Sequence, residues 1–228
     1  MKRLDVLYED NHLLVVNKPA GMVTQGAGDD QTGLVQVAKD YIARKYDKPG
    51  NVFLGVVSRL DMMSTGAIVL ARTSKAAARL NEQFRKREVK KVYWILVAGN
   101  LQPASASIED YIRKDESLHR MVGCQKTDSG AQLARLEYRI LRIFENHQLV
   151  EVNLETGRKH QIRVQFANRG HPIIGDRKYN SRRPFESGIA LHARRLTIVH
   201  PTRKEAMEFV APLPAAWRKH DINDHDSY

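Results

Sequence analysis

Residues 52–71 read VFLGVVSRLDMMSTGAIVLA, two apolar runs separated by a short polar loop. The first run, Val52 to Val57, is continuous and rich in β-branched residues, so it predicts a buried strand. The loop spans Arg59 to Thr65, and Gly66 to Ala71 predicts a second strand. The Asp61 carboxylate can therefore project into a cleft from a loop whose two ends are held by strands. From these residues alone, an ordinary turn with Arg59 as a surface partner is the simpler interpretation.

Elsewhere the hydrophobic pattern predicts more strands than helices. Apolar residues at helical spacing predict helices at 34–46, 74–87 and 159–168, with Ser74 as an N-cap and Gly170 as a stop. Residues 101–130 are polar and weakly patterned, and no element is predicted there. Further strands are predicted at 6–8, 13–16, 91–97, 133–143, 149–154, 191–199 and 205–210. Strands joined by short turns indicate an α+β fold with a large, mixed, mainly antiparallel sheet.

The charge balance favours a polyanionic partner. The chain has 37 Lys and Arg against 26 Asp and Glu, which gives a net charge of +11. Such an excess suits nucleic acid, because Lys and Arg neutralise phosphates and release counterions. A solvated basic surface without a specific partner is the alternative.

Composition also bounds the domain organisation and the compartment. The single cysteine, Cys124, excludes disulfides within the chain and cysteine-based zinc sites. No apolar leader follows Met1, and the longest apolar runs are too short to span a bilayer. We expect a cytoplasmic monomer with one domain over residues 1–219, a disordered tail over 220–228 and no obligate protein partner.

Two further segments have residue types that suit RNA. Strand alternation places Tyr93 on the face opposite Trp94, where it can stack on a base, although a core or edge tyrosine is the simpler interpretation. Arg158, Lys159 and His160 gather at a predicted helix N-terminus, which favours anions, although a solvated basic helix has the same composition. The histidines lack metal-ligand spacing, and glycine-rich phosphate loops and serine nucleophile elbows are absent. We therefore expect neither a metal nor an organic cofactor.

Taken together, these segments resemble the RluA-type RNA pseudouridine synthases. The resemblance extends from about residue 5 to 217, and its motifs occur in the family's order, which makes the set specific although each motif alone is weak. They are Asn17–Gly21, Arg59–Asp61 with Ser64–Gly66, Lys91–Tyr93, Gly157–Arg163 with Gly170–Asp176, and Leu191–Ala193 with His200–Pro201.

Two departures from the family pattern surround Asp61. The family usually has His or Gly where this chain has Ser58, and Thr-Ser-Gly where it has Ser64, Thr65 and Gly66. Both places carry small hydroxyl residues in this chain, so the chemistry is expected to survive. The N-terminal S4 RNA-binding domain of many relatives is expected to be absent.

The resemblance implies a fold with a central cleft flanked by helices and loops. It also implies isomerisation of uridine to its C5-glycoside in structured ribosomal or transfer RNA. Asp61 is the implied catalytic carboxylate, acting at C1′ as a nucleophile or at C2′ as a base. Arg163 is expected to keep Asp61 ionised through a bidentate pair, Tyr93 to stack on the uracil, and Leu191 to form an apolar wall.

The base must be flipped out of folded RNA, and Arg59 is expected to stabilise the vacated space. The remaining residues expected to bind the RNA are Lys18, Arg158, Lys159, His160 and Gln161. Two other functions remain as alternatives: a non-catalytic RNA-binding protein on the same fold, and a different RNA-modifying enzyme such as a methyltransferase. A methyltransferase would need a glycine-rich cofactor loop after the first strand, which this chain lacks.

Overall fold

The structure is a computed structural model, and it describes residues 4–26, 33–224 and 226. Within these residues, three α-helices and two short 3-10 helices, Arg177–Tyr179 and Ala215–His220, accompany the strands. The helices are α1 Leu34–Lys45, α2 Ser74–Lys86 and α3 Gln161–Asn168. The strands are β1 Val6–Glu9, β2 Leu13–Lys18, β3 Gly55–Val56, β4 Thr65–Ala71, β5 Lys90–Ala98, β6 Ser105–Asp115, β7 Arg120–Cys124, β8 Gln132–Ile143, β9 His147–Leu154, β10 Leu191–Val199 and β11 Ala206–Val210.

The chain divides into two compact units. Unit 1 contains residues 1–90 and 193–212, and unit 2 contains residues 91–192 and 213–228. In both units the strand pairs with a described register are antiparallel. The predicted α+β class with mainly antiparallel strands is confirmed.

Unit 1 has a hydrophobic core on each face of strand β2. β2 pairs with β1 on one side and β4 on the other. Because successive side chains of a strand point to opposite faces, Leu13 and Val15 belong to the core that includes Leu80 of α2. Leu14 and Val16 belong to the second core, which includes residues of α1. A run that is apolar at every position therefore marks a strand covered by helices on both faces.

Two predictions in unit 1 need correction. The strand predicted over 52–57 is reduced to the two residues of β3, because Val52 and Leu54 are buried outside a ladder and Phe53 is exposed. The N-cap of α2 is Thr73, whose Oγ1 accepts a hydrogen bond from the amide of Ala76 at 3.1 Å. Both residues at this helix start are hydroxyl residues, and the backbone conformation selects between them.

In unit 2 the strands follow the order β5, β9, β8, β6, β7. The predicted hairpin of β8 and β9 is confirmed, but β6 and β7 were missed. Their residues alternate between the core and solvent: Ile108 and Ile112 are buried, while Glu109 and Arg113 are not. The many charged residues on the outer side hid this alternation in the sequence.

The C-terminal residues of the described chain pack on unit 2. Ile222 is completely buried, and Nη1 of Arg142 donates a hydrogen bond to the carbonyl of Asp221 at 2.8 Å. In the described part of the tail that was predicted to be disordered, 220–228, Ile222 thus packs in the core, while residues 225, 227 and 228 lie outside the described residues. No helix among the described residues is long and apolar enough to cross a membrane.

Candidate active site

The loop that carries Asp61 is tied to the body of unit 1 by hydrogen bonds on both sides of the carboxylate. After Asp61, the amide and the hydroxyl of Ser64 both donate to the Asp61 carbonyl, at 3.2 and 2.9 Å. Before it, Thr24 Oγ1 donates to the carbonyl of Leu60 at 3.0 Å and accepts from the Leu60 amide at 3.2 Å. The backbone on both sides of Asp61 is thus held by Ser64 within the loop and by Thr24 outside it.

Lys18 lies beneath this loop and is completely buried. Its Nζ donates to the carbonyls of Pro19 and Met22, each at 2.9 Å, and of Met62 at 3.2 Å. An ammonium group has three protons, and all three are used here. The prediction that Lys18 contacts a phosphate is wrong, because its buried ammonium group is hydrogen-bonded to the loop that follows β2 and to the Asp61 loop. Burial lowers the pKa of Lys18 to about 8, against the opposing effect of the Asp61 carboxylate.

The chain leaves the loop through Gly66, where no other residue fits. Its φ is +114°, and a Cβ there would lie 2.4 Å from the carbonyl oxygen of Ala193. Ser64 and Thr65, which depart from the family order, are both buried. The Ser64 hydroxyl supplies a hydrogen bond inside the loop, so the exchange of two hydroxyl residues keeps a donor at this place.

Arg163 lies in α3 of unit 2 and is buried. Its Nε donates to Oδ2 of Asp176 at 2.7 Å, and its Nη2 donates to Oδ1 at 2.8 Å. Its guanidinium carbon lies 5.0 Å from the ring centre of Tyr179. Asp176, which closes the Gly170–Asp176 motif, was not assigned a role from the sequence, although a buried carboxylate there requires a cation. The pair between Arg163 and Asp61 stays a prediction.

Tyr93 is half-buried on β5 of unit 2, where it pairs with Val152 of β9. Its neighbour Trp94 is completely buried, and the indole N–H donates to Glu151 at 3.3 Å. Strand geometry places Tyr93 on the face opposite Trp94, although both faces of β5 are buried from Trp94 to Val97. The stacking of Tyr93 on a uracil stays a prediction.

The basic segment before α3 divides into exposed and buried residues. Arg158 and Lys159 are exposed. His160 has a left-handed backbone, with φ 52°, and its Nδ1 lies 2.9 Å from the hydroxyl of Tyr179. Arg59 in unit 1 is also exposed, whereas Leu191 at the start of β10 is buried. Exposure leaves Arg59, Arg158 and Lys159 available for RNA.

Gln161 is the second predicted RNA contact that needs correction. It is buried, and its Oε1 accepts from Thr156 Oγ1 at 2.7 Å and from the Arg158 amide at 3.1 Å. Its Nε2 donates to the carbonyl of Arg135 at 3.0 Å. The side-chain amide of Gln161 is hydrogen-bonded to these protein groups, so it holds the backbone of the segment that contains Arg158 in place. Within the described ranges, no three His, Cys, Asp or Glu side chains are grouped so that they would hold a metal ion.

Comparison with known proteins agrees with the predicted resemblance. The family model for RNA pseudouridylate synthase matches residues 12–168. An uncharacterized RNA pseudouridine synthase of Bacillus subtilis, YhcT, is 37% identical over 215 residues, which cover 93% of this chain and 69% of that protein. Ribosomal large subunit pseudouridine synthase D of Yersinia pestis is 34% identical, with 92% and 67% covered.

A solved structure gives the same result for the fold. Human RNA pseudouridylate synthase domain containing 4 matches with a TM-score of 0.79 and 26% identity, over 94% of this chain and 92% of that one. The family model covers the loop of Asp61 and the helix of Arg163, since both lie within residues 12–168. The chain belongs to the RNA pseudouridylate synthase family.

Proposed function

We propose that this enzyme makes pseudouridine in ribosomal RNA, with Asp61 as the catalytic carboxylate. The observation that carries the assignment is the Asp61 loop, which Ser64, Thr24 and Lys18 hold in place. A carboxylate that must reach one ribose carbon needs such a rigid base, because small displacements cost large factors in rate. Relatives named for the large ribosomal subunit support ribosomal RNA as the substrate.

The reaction breaks the bond between C1′ and N1 of uridine and forms a bond between C1′ and C5. N1 gains a proton and C5 loses one, so the atoms balance without a redox step or a cofactor. Asp61 either adds to C1′ or removes the C2′ proton, and both routes require the ionised carboxylate. Tyr93 is proposed to stack on the uracil, and Arg163 to supply the positive charge that keeps the carboxylate ionised.

Loss of the C5 proton provides a direct assay. We expect wild-type protein to release tritium from large-subunit ribosomal RNA labelled at C5 of uridine, and Asp61→Asn to release none while its Kd for the RNA stays within about twofold, since the change removes only one charge. Asp47→Asn is the matched control, because Asp47 is an exposed residue of unit 1 and asparagine tolerates its φ of 45°.

The outcomes separate the candidate functions. Full activity of Asp61→Asn would remove Asp61 from the mechanism. Release from transfer RNA alone would replace the proposed substrate. Binding of RNA without release from any RNA would favour the non-catalytic alternative. We further propose a cytoplasmic monomer without an obligate protein partner, and light scattering on the purified protein tests its oligomeric state.

A further inference from the structure

Five cations of unit 2 lie on the chain segments around Tyr179, whose ring also contacts Arg163. We call this group the Tyr179 patch, and it contains Arg120 of β7, Arg158 and Lys159 before α3, and Arg177 and Lys178 of the first 3-10 helix. Four of the five side chains are exposed, and Arg120 is half-buried. Like charges that share one surface repel unless a ligand or counterions neutralise them.

One buried tyrosine brings these three chain segments together. The hydroxyl of Tyr179 accepts from the amide of Met121 at 3.1 Å, and Nδ1 of His160 lies 2.9 Å from it. Met121 directly follows Arg120, and His160 directly follows Arg158 and Lys159. Since Tyr179 itself follows Arg177 and Lys178, its hydroxyl links the three chain segments that carry the five cations.

Further contacts fix two of the side chains. Arg120 Nη1 donates to the carbonyl of Lys178 at 3.0 Å, and its guanidinium carbon lies 5.9 Å from the ring centre of Tyr179. Arg158 Nε donates to the carbonyl of Leu133 at 3.1 Å. Bonds to neutral carbonyls orient a guanidinium without removing its charge, so both remain able to bind an anion.

The patch also differs from neighbouring cations in its lack of acidic partners. Elsewhere in unit 2, Arg139 pairs with Glu151 and Arg169 pairs with Asp110. No carboxylate of the described residues forms an ion pair with any of the five cations of the patch. Asp176, which directly precedes Arg177, instead accepts hydrogen bonds from Nε and Nη2 of Arg163.

We propose that the Tyr179 patch binds phosphates of the RNA backbone. The proposal rests on the function proposed above and adds the surface that holds the substrate outside the reacting uridine. Several oriented, unneutralised cations on a rigid base suit a chain of phosphates, and they carry no base preference by themselves. Such contacts stabilise the bound substrate and the transition state equally, so they change KM and Kd without changing kcat.

The test removes two charges and compares two surfaces. The variant is Arg177→Ala with Lys178→Ala, and the matched control is Lys48→Ala with Lys75→Ala, two exposed lysines of unit 1. The probe is a large-subunit ribosomal RNA fragment, with Kd measured over a series of NaCl concentrations. Each lost phosphate contact reduces the steepness of log K against log salt by about 0.7 to 0.9. Loss of two contacts should therefore make the slope of the patch variant shallower by about 1.4 to 1.8.

We expect the patch variant to raise Kd and KM roughly tenfold at low salt and to keep kcat, while the control keeps all three. Arg177→Lys with Lys178→Arg should restore the wild-type slope, which a merely structural defect would not do. An unchanged salt slope in the patch variant would overturn the proposal, and so would a loss of kcat with unchanged Kd. If wild-type protein released no tritium but showed the expected slopes, the enzymatic proposal would fail and the patch would stand.

Discussion

Lys18 places a positive charge inside unit 1 and donates all of its protons to carbonyls of two loops. Its neighbourhood includes the Asp61 carboxylate, which raises its pKa against the larger effect of burial. We therefore expect the side chain to act on catalysis through the loop and not through contact with the substrate. A residue with this role should show itself in the pH dependence of the reaction.

We expect kcat of the wild-type enzyme to fall as the pH rises through about 8, where Lys18 loses its proton. The free energy of unfolding should instead rise with pH over this range. The pKa in the folded state lies below the ordinary 10.5, so above pH 8 the unfolded chain holds more protons and this group adds stability as the pH rises. Measurement of kcat and of urea unfolding on both sides of pH 8 checks the two signs.

Lys18→Met is the matching variant. It should lose about 2 to 3 kcal/mol of stability, because three buried carbonyls lose a charged donor, and its kcat should be low and independent of pH in this range. A variant that kept a decline in kcat near pH 8 would show that another group titrates there.

At the scale of the element, β4 begins next to the Asp61 loop with Gly66, whose backbone conformation favours glycine. Gly66→Ala should cost about 3 kcal/mol or more, because its φ of +114° is strained for alanine and the Cβ would overlap the Ala193 backbone. Gly130→Ala is the control, since its φ is +76° but no atom lies within 4 Å of its Cβ. It should cost about 1 kcal/mol. Equal losses in denaturant unfolding would contradict the role of the close approach to Ala193.

The same scale explains why β6 and β7 escaped prediction. Their ladder joins Arg113 to Val122 and Lys114 to Met121, so charged residues stand opposite apolar ones across the hairpin. Only Ile112 and Met121 reach the core around Tyr179. Two apolar contacts spread over two strands leave too weak a periodicity to recognise in one sequence.

At the scale of the whole molecule, acid stability should depend on a cluster of aromatic rings in unit 2. The ring of His147 stacks on Phe144 at 4.5 Å and meets the edge of His220 at 5.3 Å, and His220 in turn stacks on Phe185. Burial lowers the pKa of His147 to about 4, and nearby Arg183 acts in the same direction. Burial also lowers the pKa of His220.

Because both histidines bind protons less readily in the folded state, their contribution is present above the ordinary pKa of 6.5 and is lost as the pH falls towards about 4. We expect Tm to fall over this range, and the fall to be smaller in His147→Gln with His220→Gln. The exposed His119, replaced by Asn, is the control and should follow the wild type. An identical decline in all three proteins would assign the acid sensitivity to carboxylates.

The amino-acid sequence determined the α+β class, the strands of the core and the family, because these depend on apolar periodicity and on short motifs that lie within single loops and strands. It also singled out Asp61, since the motif and the loop are one local segment. Only the tertiary structure decided that Lys18 and Gln161 face inward and that Asp176 partners Arg163. Whether a polar side chain meets solvent or a buried partner depends on which distant segments pack beside it, and no local pattern contains that information.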